Sequence, residues 1–222
     1  YNSGNGMEAP YSSSITTPYT PSTNDTLGIN NGTPNNITYT TGKIGNAFSF
    51  NGSTSHIQLP IGSFNFTGDF SISLWVKFNS TTTNQVAMVI GNQYNGSNAI
   101  NFTIGTNGAP TSYNIQAGFF DGGWRNTTGF APVVGTWYQI VGTYDGTTIR
   151  QYVNGAANGG TLTYSGTPTS GGEIRMMRRW DDIVSTGNLF NGNLAIARVY
   201  NRALTANEVL QNYNAQKGRF GL

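Results

Sequence analysis

The chain has no cysteine, a single histidine and only nine carboxylates in 222 residues. Without cysteine there is no disulfide framework, zinc–thiolate cluster or thiol nucleophile, and stability must come from packing; the redox compartment stays open. His56, the one histidine, stands on an outward position of an alternating stretch, and no Gly-x-Ser-x-Gly elbow occurs, so a Ser-His-Asp mechanism is not expected. Charged residues make up 9% of the chain and the net charge is +2, which excludes both a basic nucleic-acid footprint and an acidic solvating tail. No run approaches the roughly 18 apolar residues of a membrane span. Tyr1 in place of an initiating Met reads as a processed or excised chain. Asn, Thr, Ser and Gly are abundant instead, and their side chains disfavour long helices. The length suits one large all-β domain that buries roughly 70% of the surface its unfolded chain exposes.

Gly135 to Gly155 carries the clearest local signal. Trp137, Gln139, Val141 and Thr143 alternate with Tyr138, Ile140, Gly142 and Tyr144, which predicts a strand with two distinct faces. Asp145-Gly146 then predicts a type I′ hairpin turn, and Asn154-Gly155 a second turn. Phe70, Ile72, Leu74, Val76 and Phe78 alternate with Ser71, Ser73, Trp75 and Lys77 in a central strand. Phe48 and Phe50 face inward together, as do Ile57 and Leu59. Further strands are expected at residues 85–90, 99–104, 113–120, 173–178 and 194–200. One helix is expected after Thr205, where Thr205 and Glu208 form a capping box. Val209, Leu210 and Tyr213 make its apolar stripe, and Gly218 its stop. Residues 1–41 hold too few apolar side chains to bury a face and read as an extended or low-complexity arm, leaving 42–222 as the folded domain.

Several of these segments also carry a family pattern, in order along the chain. They are Asn30-Asn-Gly-Thr33, Gly42 to Ser53, Phe70-Ser-Ile-Ser-Leu-Trp-Val-Lys77, Gly135-Thr-Trp-Tyr138 with Tyr144-Asp-Gly146 and Tyr152-Val-Asn-Gly155, and Asn201-Arg-Ala-Leu-Thr205 running into Val209. Through them the chain resembles laminin-G-like jelly-roll modules of the concanavalin A-like lectin/glucanase superfamily, and its composition and ending are similar to phage-encoded members. The resemblance covers about Asn30 to Leu222. It implies an all-β fold, a two-sheet antiparallel jelly-roll β-sandwich with one short C-terminal helix. It does not imply an activity, because this scaffold hosts lectins, glycoside hydrolases, adhesion modules and phage structural proteins.

A retaining glycosidase needs two carboxylates about 5 Å apart, and the strand motif Glu-x-Asp-x-(x)-Glu that supplies them in this superfamily is absent. Glu173 with Asp181 or Asp182 would be a nonstandard pair, so a non-enzyme is expected. Calcium is the one cofactor the resemblance suggests; Asp181 and Asp182, with Asn188 or loop carbonyls, form the candidate ligand set, against a salt-bridged loop with Arg178 and Arg179 as the alternative. Sugar binding needs an aromatic face flanked by amides or guanidinium groups. Trp124, Arg125, Trp180, Arg179, Tyr94 and Tyr113 are the candidates, with Asn95 and Asn126 beside them in sequence. The resulting expectation is a glycan- or polysaccharide-adhering jelly-roll on a virion surface, as a decoration or fibre protein with capsid or fibre subunits as partners, or otherwise extracellular on a bacterial exterior. A glycoside hydrolase with relocated acids is the alternative.

Overall fold

The computed structural model describes residues 5–8, 30–41, 46–60, 63, 68–81, 86–90, 101–106, 114–120, 124–166, 174–178 and 189–222. In chain order the strands are β1 (Asn5–Glu8), β2 (Thr33–Asn35), β3 (Thr38–Thr41), β4 (Asn46–Asn51), β5 (His56–Leu59), β6 (Phe70–Phe78), β7 (Val86–Ile90) and β8 (Asn101–Thr106). There follow β9 (Ile115–Phe120), β10 (Trp124–Asn126), β11 (Trp137–Tyr144), β12 (Thr148–Val153), β13 (Ala156–Ala157), β14 (Leu162–Thr163), β15 (Ile174–Met176) and β16 (Asn191–Tyr200). Helix α1 (Ala206–Gln216) and a 3-10 turn (Lys217–Phe220) close the chain.

These strands form two antiparallel sheets. The nine-stranded sheet runs β13-β12-β11-β6-β16-β4-β3, with β14 also on β12 and β1 also on β16; the seven-stranded sheet runs β10-β9-β8-β7-β15-β5-β2. The expected alternation fixes what lies between them. Phe48, Phe50, Phe70, Leu74, Val76, Phe78, Ile140 and Leu194 of the larger sheet pack on Ile57, Leu59, Ile115, Ala117, Phe119 and Met176 of the smaller. Each of these side chains larger than alanine, fully buried, contributes about 1.5–3 kcal/mol. The architecture is the two-sheet jelly-roll that the sequence predicts.

The other face of β6 is buried as well, although its alternation with Ser and Lys reads as a solvent face. Trp75 stacks at 4.0 Å on Phe220 and at 5.8 Å on Tyr213, both near-parallel, and its indole N–H donates to the Gln216 amide oxygen. Ser71 donates to the Arg202 carbonyl and accepts from the Leu204 amide. The C-terminal segment thus lies across the larger sheet as a lid of aromatic rings. Trp75 and Trp137 fill this second core and not the space between the sheets.

Three local expectations are corrected. Asp145-Gly146 is not a type I′ turn, because only Gly146 takes positive φ (84°); the Asp145 carboxylate instead accepts the amides of Thr147 and Thr148 and shapes the loop itself. The geometry with both central residues at positive φ occurs at Asn154 (52°) and Gly155 (80°). On α1 the sheet-facing stripe is buried Val209 with half-buried Tyr213 and Gln216, while Leu210 is 44% exposed, since one residue step turns the helix about 100° away from the sheet. The left-handed stop is Gly221 (φ 73°) and not Gly218, because a 3-10 turn carries the chain on to dock Phe220.

Within residues 1–41, β1 pairs with β16, β2 with β5 and β3 with β4. Edge pairing needs backbone hydrogen bonds more than apolar side chains, so a segment poor in hydrophobics still joins both sheets.

Candidate functional site

At its β15-β5-β2 end the seven-stranded sheet turns polar side chains away from the core. This polar face begins at the turn after β4, where the Asn51 carboxamide oxygen accepts the amides of Ser53, Thr54 and Ser55 at 2.9–3.1 Å and Gly52 takes φ 72°. That turn aims the Thr54 carbonyl at His56, whose Nδ1–H donates to it at 3.0 Å. A carbonyl only accepts, so Nδ1 carries the proton and Nε2 is left as an acceptor. Burial lowers the His56 pKa; the Thr54 bond opposes that, and the neighbouring Arg178 and Arg175 charges lower it further. The ring is therefore neutral around pH 7.

Gln58 follows two residues on, on the same side of the pleat as His56. Across β15 the register sets Arg175 opposite Gln58 on one side and Val89 on the other, and β2 sets Thr33 opposite Gln58 and Asn35 opposite His56. Arg175 is only 6% exposed. Met177 then takes φ 67° and is fully buried directly after buried Met176, so alternation is broken. Arg178 consequently comes out on the His56 side and bridges Leu189.

The far end of this sheet is β9–β10. Trp124 stands opposite Phe120 and Asn126 opposite Gly118, whereas Arg125 stands opposite Phe119, a core residue. Alternation thus sends Trp124 and Arg125 to opposite sides of β10, and the structure does not unite them in one site. A Cβ on Gly118 would fall 2.2 Å from the Asn126 side-chain oxygen and 2.3 Å from the Arg125 carbonyl, so the strand tolerates only glycine there. A buried network holds this edge to the other sheet. The Thr127 hydroxyl donates to the Gln151 oxygen at 3.1 Å while accepting the Ala117 amide, and the Gln151 amide donates to the Ile115 carbonyl at 3.0 Å. With strands about 4.8 Å apart, four strand steps separate Trp124 from Arg175 by ~19 Å, so the two ends of the face are distinct.

Two of the described carboxylates have structural work. Burial opposes ionisation of Asp145, but Arg150, the Thr147 hydroxyl and the amides of Thr147 and Thr148 outweigh it and hold the pKa at about 2. Arg202 holds Glu208 at about 2 in a two-pronged ion pair at 2.7 and 2.8 Å, beside its capping role at Thr205. Among the described residues no three His, Asp or Glu side chains cluster as metal ligands. Glu173, Asp181, Asp182, Trp180, Arg179, Tyr94 and Tyr113 lie outside the side chains described. The sequence reading set His56 outward, yet it did not join it to Gln58, Arg175 and Asn35; the strand pairing that does so is long-range and has no local signal.

A family profile of laminin-G type, described as the concanavalin A-like lectin/glucanases superfamily, matches residues 51–210. No curated protein matches the sequence. Among solved structures, domain 4 of AbnA, a GH43 extracellular arabinanase from Geobacillus stearothermophilus solved with arabinotriose, superposes with TM-score 0.70 at 23% identity, over 86% of this chain and 92% of that one. The binding domain of botulinum neurotoxin serotype D/C aligns with TM-score 0.64 at 14% identity, over 95% of this chain and 51% of that one. This chain thus spans about half of the toxin domain's length. With the two-sheet sandwich, its lid and a profile match over most of its length, the chain belongs to the concanavalin A-like lectin/glucanases superfamily.

Proposed function

We propose that this chain is a non-enzymatic glycan-binding module that works on an exterior surface, and that it holds saccharide on the polar face of its seven-stranded sheet. One observation carries the reading: an acceptor nitrogen on His56, the Gln58 amide and the Asn35 amide share one face of the pleat. Such a mixture of donors and acceptors, a strand spacing apart, suits a ligand that presents hydroxyls in both roles. The fold likeness to an arabinanase domain solved with arabinotriose supports it. Of the two exteriors considered, virion and bacterial, that likeness favours a secreted or surface-attached bacterial module.

Affinity electrophoresis and titration calorimetry against arabinan, xylan, galactan and β-glucan test the reading. Binding that weakens on His56→Ala and Gln58→Ala, without loss of thermal stability, is expected. No retardation by any polysaccharide rejects it. Reducing-sugar release that disappears with Glu173→Gln would reject the non-enzymatic half alone.

A further inference from the structure

We propose that Trp75, Trp137 and Gln139, on the outer face of the nine-stranded sheet, form a second saccharide site, which takes a neutral pyranose ring and which Phe220 covers as a displaceable plug. It lies on the other sheet from the polar face described above and stands independently of it.

Strand register builds the site. Gln139 on β11 stands opposite Trp75 on β6, and Trp137 lies two residues before Gln139 on the same side of the pleat. Two indole rings thus flank one carboxamide on adjacent strands. That carboxamide is fully buried, yet neither its oxygen nor its nitrogen meets a hydrogen-bond partner among the described residues. A buried amide without partners costs stability, and packing alone would be better served by an aliphatic side chain. Gln139 therefore points to a partner that the closed chain does not supply.

What covers the site matches only its apolar part. Phe220 is the buried side chain of the 3-10 turn Lys217–Phe220. Its ring lies near-parallel to Trp75 at 4.0 Å and tilted by 51° to Trp137 at 5.0 Å. A phenyl ring suits the indole faces but offers the amide neither donor nor acceptor. A pyranose ring offers both properties at once, an apolar C–H face for Trp75 and a rim of hydroxyls that can donate to the Gln139 oxygen and accept from its nitrogen. The amide is uncharged, so the sugar it suits is neutral. Gln216, at the end of α1, keeps its own bond from the Trp75 indole N–H, and Gly218, exposed and uncrowded, supplies a pivot for the turn beyond it. The turn can thus swing aside while the helix stays docked.

The test titrates the intact chain, Phe220→Ala and Phe220→Leu with cellohexaose, xylohexaose and mannohexaose, by calorimetry and tryptophan emission. Covering a site divides its affinity by the fraction of molecules that are open, so removing the plug should tighten binding. Phe220→Ala is expected to bind at least one of the three about tenfold more tightly than the parent, in spite of its lower stability. Saturation should also move its emission back to the blue. Phe220→Leu keeps an apolar cover, so it serves if the alanine variant fails to fold, and its gain should be smaller. Adding Gln139→Leu to either variant should remove the gain while raising the melting temperature. Affinity unchanged from the parent in both Phe220 variants overturns the proposal. A gain that Gln139→Leu spares and His56→Ala abolishes overturns it too, but leaves the polar-face reading standing. Binding by neither parent nor variants overturns both.

Discussion

The same substitution, Gln to Leu, should move stability in opposite directions at two adjacent strands. Gln151 on β12 is buried between the sheets and makes three hydrogen bonds, to the Ile115 carbonyl (3.0 Å), from the Thr127 hydroxyl (3.1 Å) and from the Asn158 amide (3.2 Å). Gln139 on β11 is 0% exposed beneath the C-terminal lid, and neither polar atom of its amide bonds to a described residue. In Gln151→Leu the Ile115 carbonyl keeps the Phe130 amide and Asn158 regains water, but the Thr127 proton loses its buried acceptor. Two buried bonds and part of one desolvation penalty amount to about 2–3 kcal/mol of lost stability. For a chain of this size that is a melting temperature lower by roughly 5–10 °C. Gln139→Leu removes an unsatisfied amide at nearly constant volume and should gain about 1–2 kcal/mol. Urea unfolding of both variants, with unchanged m values, is the measurement. A Gln139→Leu protein less stable than Gln151→Leu would refute the reasoning. In a cycle with Thr127→Val, the Gln151–Thr127 coupling should come to about 1 kcal/mol.

Three further outcomes are expected. Phe220→Ala should destabilise by about 3 kcal/mol and red-shift tryptophan emission, because Phe220 covers both Trp75 and Trp137; unchanged emission would contradict the lid. Gly118→Ala should lower stability by about 1–3 kcal/mol, since the new methyl meets backbone and amide at once, and a melting temperature equal to the parent's would count against that packing. Acid titration should show a stability loss centred on Asp145 and Glu208. Both are lowered to about 2 from 3.8 and 4.5, so their stabilisation is complete above the upper value and is lost as pH falls toward 2. After allowance for solvent screening it is about 1 kcal/mol each, and Asp145→Asn with Glu208→Gln should flatten the slope.

Alternation was the most legible property of the chain. Nine residues of strict period two placed β6, and the five side chains it turns inward, Phe70, Ile72, Leu74, Val76 and Phe78, all enter the core shared with the opposite sheet. The capping box at Thr205 and Glu208 was equally plain because it is a contact within one helical turn. What could not be read depended on distant partners. The Ser and Lys positions of β6 look solvated until a segment more than 130 residues later folds over them. Strands β1 to β3 lack an apolar pattern because edge pairing asks little of side chains. For the candidate face, the outward setting of His56 was visible in its alternating stretch. The left-handed Met177 was not, since methionine carries no preference for that conformation, and without it Arg178 could not be assigned to the same side.

Strand β16 has one flank shared end to end by two donors, β4 along Asn191–Leu194 and β1 along Ile196–Val199, with the register shift falling between Leu194 and Ile196. Each donor therefore shields only its own stretch of amides and carbonyls. Removing residues 1–8 would bare a four-residue docking ledge on β16, one that a matching segment from a second copy could occupy. The short opening strand acts in this sense as a stopper, keeping the molecule from recruiting its own kind.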